Sequence, residues 1–254
     1  MVGVFDSGSG GLTVLRAIRN ELPSCDVVYF GDIAHAPYGS KSQEELAQYV
    51  AQGLSLLRAR GADKLVSACN TASASLALSM YDAFDMEPGS IIEMVGPTVG
   101  YFKESNKRIV LCATPATVRA GIYQTAFALV GQNITAVPIE GLASAIEFAE
   151  GTQRQREVIK GAFKDVDWAG VDMLILACTH YPLALEVFRE IVPAHVEIFD
   201  PAVAVAGRAI RQFWPQEVRD GKTTFLISKD SKPFRELVAK LFPDTSYTIE
   251  VVSV

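Results

Sequence analysis

Gly61-Ala62-Asp63-Lys64-Leu65-Val66-Ser67-Ala68-Cys69-Asn70-Thr71 and, much further along, Gly170-Val171-Asp172-Met173-Leu174-Ile175-Leu176-Ala177-Cys178-Thr179-His180 are two versions of one pattern. Each ends an apolar run of strand length with Ala-Cys and follows it with polar residues that open a helix. A short apolar run bounded by turn signals reads as a buried strand of a parallel sheet. The match predicts two similar α/β units, each offering one cysteine from the same topological position. A weaker echo sets residues 2–7 against 109–114, again a strand running into a small polar loop.

Outward from these stretches the same alternation continues. Strands are predicted at residues 2–5, 27–30, 65–68, 109–111, 134–137, 174–177, 196–199, 224–227 and 247–251, with amphipathic helices at 12–22, 43–60, 116–129, 183–191 and 233–241 among the segments between them. Strand-helix alternation implies α/β architecture with helices on both faces of parallel sheets. The expected fold is two similar doubly wound parallel-sheet domains with the active site in the cleft between them. The Pro/Gly punctuation at Pro88, Gly89, Gly96 and Pro97 marks one boundary, and Asp200-Pro201 is the candidate for a second. This divides the chain into residues 1–92 plus 203–254 and residues 93–202. Ligands of such sheets sit beyond the carboxyl ends of the strands, so the residues that follow each strand are the ones to inspect.

Composition narrows the function. The chain has 254 residues, 49% hydrophobic and 20% charged, and its 23 Lys+Arg against 29 Asp+Glu leave a net charge of −6. That excludes disorder as the main state, and with no basic cluster it argues against nucleic acid as a partner. No apolar run reaches the ~18 residues of a membrane span, and the first residues read directly into a strand rather than a signal peptide. A cytoplasmic protein acting on a small polar substrate is expected. Four cysteines without a C-x-x-C pair give neither a disulfide scaffold nor a structural zinc site.

A lone strand cysteine is usually a small core hydrophobe, and Cys25 and Cys112 are read that way. Cys69 and Cys178 differ, because a duplicated pattern places each at a strand end before a helix, where terminal N–H groups favour a thiolate. Two such thiols facing one cleft suit proton removal from one face of a carbon and delivery to the other, which a single base does poorly. The Gly-rich turn Phe5-Asp6-Ser7-Gly8-Ser9-Gly10-Gly11 is a generic anion cradle. It lacks the Gly-Lys-Ser/Thr of a phosphate loop, and Asp32 is only a loose match to a ribose-binding acid. Asp6 either caps this turn or orients a thiol. Two other readings stay open here: Cys69, Cys178, His180 and Asp6 as metal ligands, and the glycine loop as a nucleotide-binding module.

Phe5-Asp6-Ser7-Gly8-Ser9-Gly10-Gly11, Pro37-Tyr38-Gly39, Ala68-Cys69-Asn70-Thr71-Ala72, Ala113-Thr114-Pro115-Ala116-Thr117 and Cys178-Thr179-His180-Tyr181-Pro182 together resemble, in order and over nearly the whole chain, the motif series of the glutamate racemases. The resemblance implies cofactor-independent interconversion of L- and D-glutamate, supplying D-glutamate for bacterial peptidoglycan, with no metal and with a homodimer as a common assembly. It implies Cys69 and Cys178 as the acid/base pair, assisted by Asp6, His180 and Glu147. Substrate contacts are implied at Asp6, Ser7, Tyr38, Gly39, Asn70, Thr71, Thr114, Thr117, Thr179 and His180. Plain structural alternatives exist: Tyr38 as a packing residue, Glu147 solvated on its helix, Thr114 with Thr117 as a capping pair, and His180 as a surface residue opening a helix. Racemases of aspartate or hydantoins, and a decarboxylase using one cysteine, are the neighbouring activities; paired cysteines disfavour the last. Met94-Val95-Gly96-Pro97-Thr98-Val99 stands where the family has an acidic Glu-Pro stretch, and Lys229-Asp230 where it has Gly-Asp. The motifs contain no arginine, so the substrate carboxylates are expected to meet hydroxyls, amides and helix N–H groups.

Overall fold

The computed structural model describes residues 1–76, 89–213 and 219–253, so Pro88 of the expected boundary lies outside the described residues. The strands are β1 (Val2–Asp6), β2 (Val27–Gly31), β3 (Lys64–Ser67), β4 (Ile91–Ile92), β5 (Ile109–Ala113), β6 (Ile134–Pro138), β7 (Met173–Ala177), β8 (Glu197–Phe199), β9 (Thr223–Ile227) and β10 (Tyr247–Val251). The helices are α1 (Leu12–Glu21), α2 (Gln43–Ala59), α3 (Asn70–Leu76), α4 (Val95–Phe102), α5 (Pro115–Ala120), α6 (Ile122–Leu129), α7 (Leu142–Glu147), α8 (Thr152–Phe163), α9 (Leu185–Ile191), α10 (Ala202–Gln212) and α11 (Lys232–Leu241). They build two sheets, in the orders β10-β9-β2-β1-β3-β4 and β6-β5-β7-β8, with every pairing parallel. This is the expected pair of parallel α/β domains. No helix among the described residues is long and apolar enough to cross a membrane.

Side chains leave a strand on alternate faces, and the cores follow that rule. In β2, Val27 and Tyr29 join the core under α1 and α10, while Val28 and Phe30 join the one under α2. In β7, Leu174, Leu176 and then Cys178 face one core, and Met173, Ile175 and Ala177 the other. Strands covered on both sides have no polar face, which is why they read as continuous apolar runs. Cys112 is fully buried in β5 and Cys25 lies in the core of the first sheet, as packing residues.

All nine predicted strands form, and the differences are local. β4 went unpredicted because a two-residue strand shows no period. The helix expected over 116–129 is two helices, since Gly121 sits between them at φ +66°, a left-handed conformation that ends α5. The segment 183–191 begins as a 3-10 turn, Tyr181–Ala184, before α9 takes over. Helix starts follow capping chemistry: Ser42 accepts from Glu45 N (3.2 Å) while Glu45 Oε2 accepts from Ser42 N (2.9 Å), a reciprocal pair that begins α2. The carboxylate at the crossing into α4 belongs to Glu93, just before the stretch beginning at Met94, and it accepts from Val95 N (2.5 Å) and Gly96 N (2.6 Å).

Helix α2 lies close on β1 because Gly53 has no side chain. A Cβ there would sit 2.6 Å from Phe5 Cδ2 and 3.0 Å from Phe30 Cδ1, two fully buried rings. Alanine would gain up to ~1 kcal/mol of helix propensity. Overpacking rigid rings costs ~1–3 kcal/mol, so the clash outweighs the gain. Gly53→Ala is therefore expected to lower the thermal midpoint; a higher midpoint would show that the rings yield freely.

Candidate active site

The loops that follow β1, β3, β5 and β7 carry nearly all the candidate residues, and the carboxyl ends of the two sheets face each other across them. Ser7, Tyr38, Gly39, Asn70, Thr71, Thr114, Thr179, His180 and both thiols, Cys69 and Cys178, line one small pocket, together with Pro37 and Ala143, which were not among the candidates. Its volume is about 10 Å³, room for roughly one water molecule. Asp6, Glu147 and Thr117 do not line it; each stands behind a residue that does. A larger groove of about 1290 Å³ between α4 and α10 contains neither thiol.

Cys178 ends its strand with Sγ 3.9 Å from His180 Nδ1, and the other ring nitrogen, Nε2, is 2.6 Å from Glu147 Oε2. Both partners are nearly inaccessible, with 4% exposure at His180 and 3% at Glu147, so neither is the solvated surface residue that the sequence allowed. Burial alone would lower the proton affinity of His180. Its hydrogen bonds to Cys178 and Glu147, and the Glu147 charge, reverse that and hold it well above the usual histidine range. Glu147 moves the opposite way: burial would raise it, but His180 and Ser9 hold it below the ordinary carboxylate range.

Cys69 has different company. Its Sγ lies 3.5 Å from Ser7 Oγ and accepts from Ala72 N at 3.5 Å in the first turn of α3. Burial, with the Asp6 charge adding to it, pushes this thiol up to about 12, against weaker help from Ser7 and Ala72. Asp6 takes the capping role and also reaches the facing unit. It accepts from Gly8 N (2.9 Å), capping its own turn, and from Thr179 Oγ1 (3.1 Å) on the facing sheet. Burial raises its proton affinity, opposed by the His180 charge and the Gly11 and Gly8 N–H groups.

Several of the remaining polar side chains pair across the cleft. Thr71, Thr114 and Thr117 form a triangle of hydroxyls with separations of 2.9, 3.1 and 3.0 Å. Thr114 also accepts from Thr117 N at 3.3 Å as the cap of α5, so the capping pair and the cleft contact coexist. Tyr38 packs against Phe5 and donates its hydroxyl to Asp32 Oδ2 at 2.7 Å. Asn70 Oδ1 accepts from Tyr123 OH at 2.6 Å, whereas its Nδ2 is buried without a partner. A buried donor left unpaired costs about 1–3 kcal/mol, so its presence beside the cavity marks a place for an acceptor such as a carboxylate. Among the described residues, no group of three His, Cys, Asp or Glu side chains is arranged to hold a metal ion.

The glycine loop explains how the halves come so close. Ser9 donates from N (2.9 Å) and from Oγ (2.6 Å) to Glu147 Oε2. A Cβ at Gly8 would meet the same carboxylate at 2.8 Å, and one at Gly10 would meet Thr179 Oγ1 at 2.6 Å and His180 Nδ1 at 2.7 Å. The anion this loop cradles is thus a side chain of the facing half. Sequence reading saw the cradle but had no signal for Ser9 or Tyr123, whose partners lie 138 and 53 residues away.

The chain is similar to known proteins over most of its length. A family model described as Asp/Glu/Hydantoin racemase matches residues 11–209. The glutamate racemase of Desulforudis audaxviator (strain MP104C) is 37% identical over 211 residues, covering 82% of this chain and 77% of that protein. That of Aquifex pyrophilus is 34% identical over 259 residues, covering 98% and 96%. Among solved structures, a glutamate racemase isoform from Bacillus anthracis superposes with a TM-score of 0.87 at 26% identity, over 100% of this chain and 97% of that one. The glutamate racemase from Francisella tularensis subsp. tularensis SCHU S4, solved in complex with D-glutamate, gives 0.85 at 27% identity, over 99% and 97%.

Because Gly10 permits the contact with His180, Gly10→Val is expected to hold the cleft open. Cys69 and Cys178, now 4% and 5% exposed, would then react with iodoacetamide at least about tenfold faster, since opening converts buried thiols into accessible ones. Unchanged labelling rates would show that the loop yields instead.

Proposed function

This chain belongs to the Asp/Glu/hydantoin racemase family, and from that premise we propose that it interconverts L- and D-glutamate without a cofactor, by a proton exchange between Cys69 and Cys178. The observation that supports this reading is the shared cavity: two thiols from equivalent strand ends of facing sheets border one small space. One thiolate removes the α-proton, and the other thiol delivers its proton to the opposite face of the planar carbanion. Reversal exchanges their roles.

The surroundings of the two thiols support unequal starting states. An ordinary thiol is only a few per cent ionised at neutral pH. Protonated His180, held by Glu147, stands 3.9 Å from Cys178 Sγ as a group that can exchange a proton with that sulfur, whereas among the described residues Cys69 has no such partner. Cys69, pushed up to about 12, remains the thiol and hence the proton donor. In the reverse direction Cys69 must lose its proton, and Asp6, whose burial raises its own affinity for a proton, is the neighbouring group suited to share it.

Substrate contacts are assigned to Ser7, Tyr38, Gly39, Asn70, Thr71, Thr114, Thr179 and His180, with Asp6 acting through Thr179 and Thr117 through Thr71 and Thr114. Among the described residues no lysine or arginine borders the cavity, so amide and hydroxyl donors, with the free Asn70 Nδ2 among them, hold the carboxylates and stabilise charge that builds as the α-proton leaves. The cavity is far smaller than glutamate, so the two units, residues 1–92 with 203–254 and residues 93–202, must separate to admit it. The product would serve as the D-glutamate of peptidoglycan, made in the cytoplasm.

Cys69→Ser and Cys178→Ser are each expected to slow racemisation by about 10²–10⁴-fold, the range of a positioned acid or base, while retaining native circular dichroism. Polarimetry with L-glutamate, D-glutamate and aspartate measures this and tests the choice of substrate; near-full activity in either variant removes the two-thiol scheme. Turnover in heavy water is expected to place deuterium at the α-carbon of the product. Product that keeps its original hydrogen would require a different chemistry.

A further inference from the structure

We propose that Ser9 is a positioning residue that couples closure of the cleft to the readiness of Cys178, because it delivers two hydrogen bonds from the first sheet to the carboxylate that holds His180 beside that thiol. The inference rests on the reading that Cys178 exchanges a proton with glutamate. Its geometry is direct. Ser9 lies in the loop between β1 and α1, and Glu147 ends α7 on the facing unit, so the two bonds exist only while the units are together. A single oxygen, Glu147 Oε2, takes Ser9 N–H, Ser9 Oγ–H and His180 Nε2–H at 2.9, 2.6 and 2.6 Å. With Glu147 3% exposed, water has little access to replace a lost donor. Gly8 and Gly10 pass as bare backbone against the carboxylate and the imidazole, leaving Ser9 as the one side chain of that triplet.

The charges around this site decide the sign of the effect. Asp6 from β1 faces both Glu147 and His180, and its negative charge disfavours a second carboxylate so close by. Cys178 faces the ring from β7, and the Tyr29 hydroxyl from β2 is also near Asp6 and Glu147. Against the Asp6 repulsion, the Ser9 donors favour the ionised form of Glu147, and ionised Glu147 in turn favours the imidazolium. Removing the Ser9 hydroxyl therefore moves Glu147 up and His180 down. An open cleft would do the same, which links substrate enclosure to the charge placed next to the base.

The test follows the His180 ring by NMR across a pH titration in the wild-type chain, Ser9→Ala, Glu147→Ala and the double variant; with three histidines in the chain, the signal is assigned by His180→Gln. Ser9→Ala is expected to lower the His180 midpoint by about one pH unit and kcat/KM by about tenfold, in line with a hydrogen bond to a charged group, and Ser9→Thr to restore most of both. In the Glu147→Ala background the same substitution should leave the His180 midpoint within about 0.2 units, the non-additivity of residues acting in series. An unmoved midpoint in Ser9→Ala, or an equal shift in both backgrounds, overturns the proposal. If the wild-type chain fails to racemise glutamate, the proposed function falls, while the ring titration still reports on the Ser9–Glu147–His180 link.

Discussion

A buried carboxylate–imidazolium pair is stable only when its remaining hydrogen-bonding capacity is filled, because removing one partner strands a charge in a medium that solvates it poorly. At the Glu147–His180 pair those partners come from both halves of the molecule: Ser9 donates twice from the first unit, and Cys178 meets the ring from the second. The closed arrangement of the sheets and the charge state of the site are therefore one problem with one solution. The glycines at 8 and 10 belong to that solution, since side chains there would keep the donors away from the acceptor.

The two thiols come from duplicated strand ends, yet duplication has not made their surroundings equal. Cys178 meets a ring held well above the usual histidine range, whereas Cys69 meets a neutral serine hydroxyl and feels the Asp6 charge. The two-thiol exchange proposed above needs two groups of exchangeable role, with one of them deprotonated at the start. Asymmetric neighbours around sulfur atoms from equivalent strand ends are compatible with that proposal.

The hydroxyl triangle of Thr71, Thr114 and Thr117 and the Tyr123–Asn70 bond add neutral contacts across the same interface. Neutral hydrogen bonds of this kind are worth about 0.5–1.5 kcal/mol each and can be exchanged for bonds to water or to a substrate carboxylate without leaving a charge behind. They suit the opening proposed for this cleft. The unpaired Asn70 Nδ2, on a residue that lines the cavity, gains outright when an acceptor arrives.

Alternating apolar runs and amphipathic stretches made all nine of the longer strands legible, and the repeated Ala-Cys ending singled out two of four cysteines, because periodicity and duplication are written along the chain itself. The two-residue β4 and the break at Gly121 were not legible: the first is too short to carry a period, and the second turns on one residue's φ within an otherwise continuous helical pattern. Nor did spacing reveal that Asp6, Glu147 and Thr117 stand behind the cavity rather than in it, or that the anion in the glycine loop is Glu147. Those facts depend on which loops two separate sheets bring face to face. Hydrogen bonds and desolvation act over a few ångströms in space, and a donor 138 residues from its acceptor leaves no trace of the pairing in the sequence.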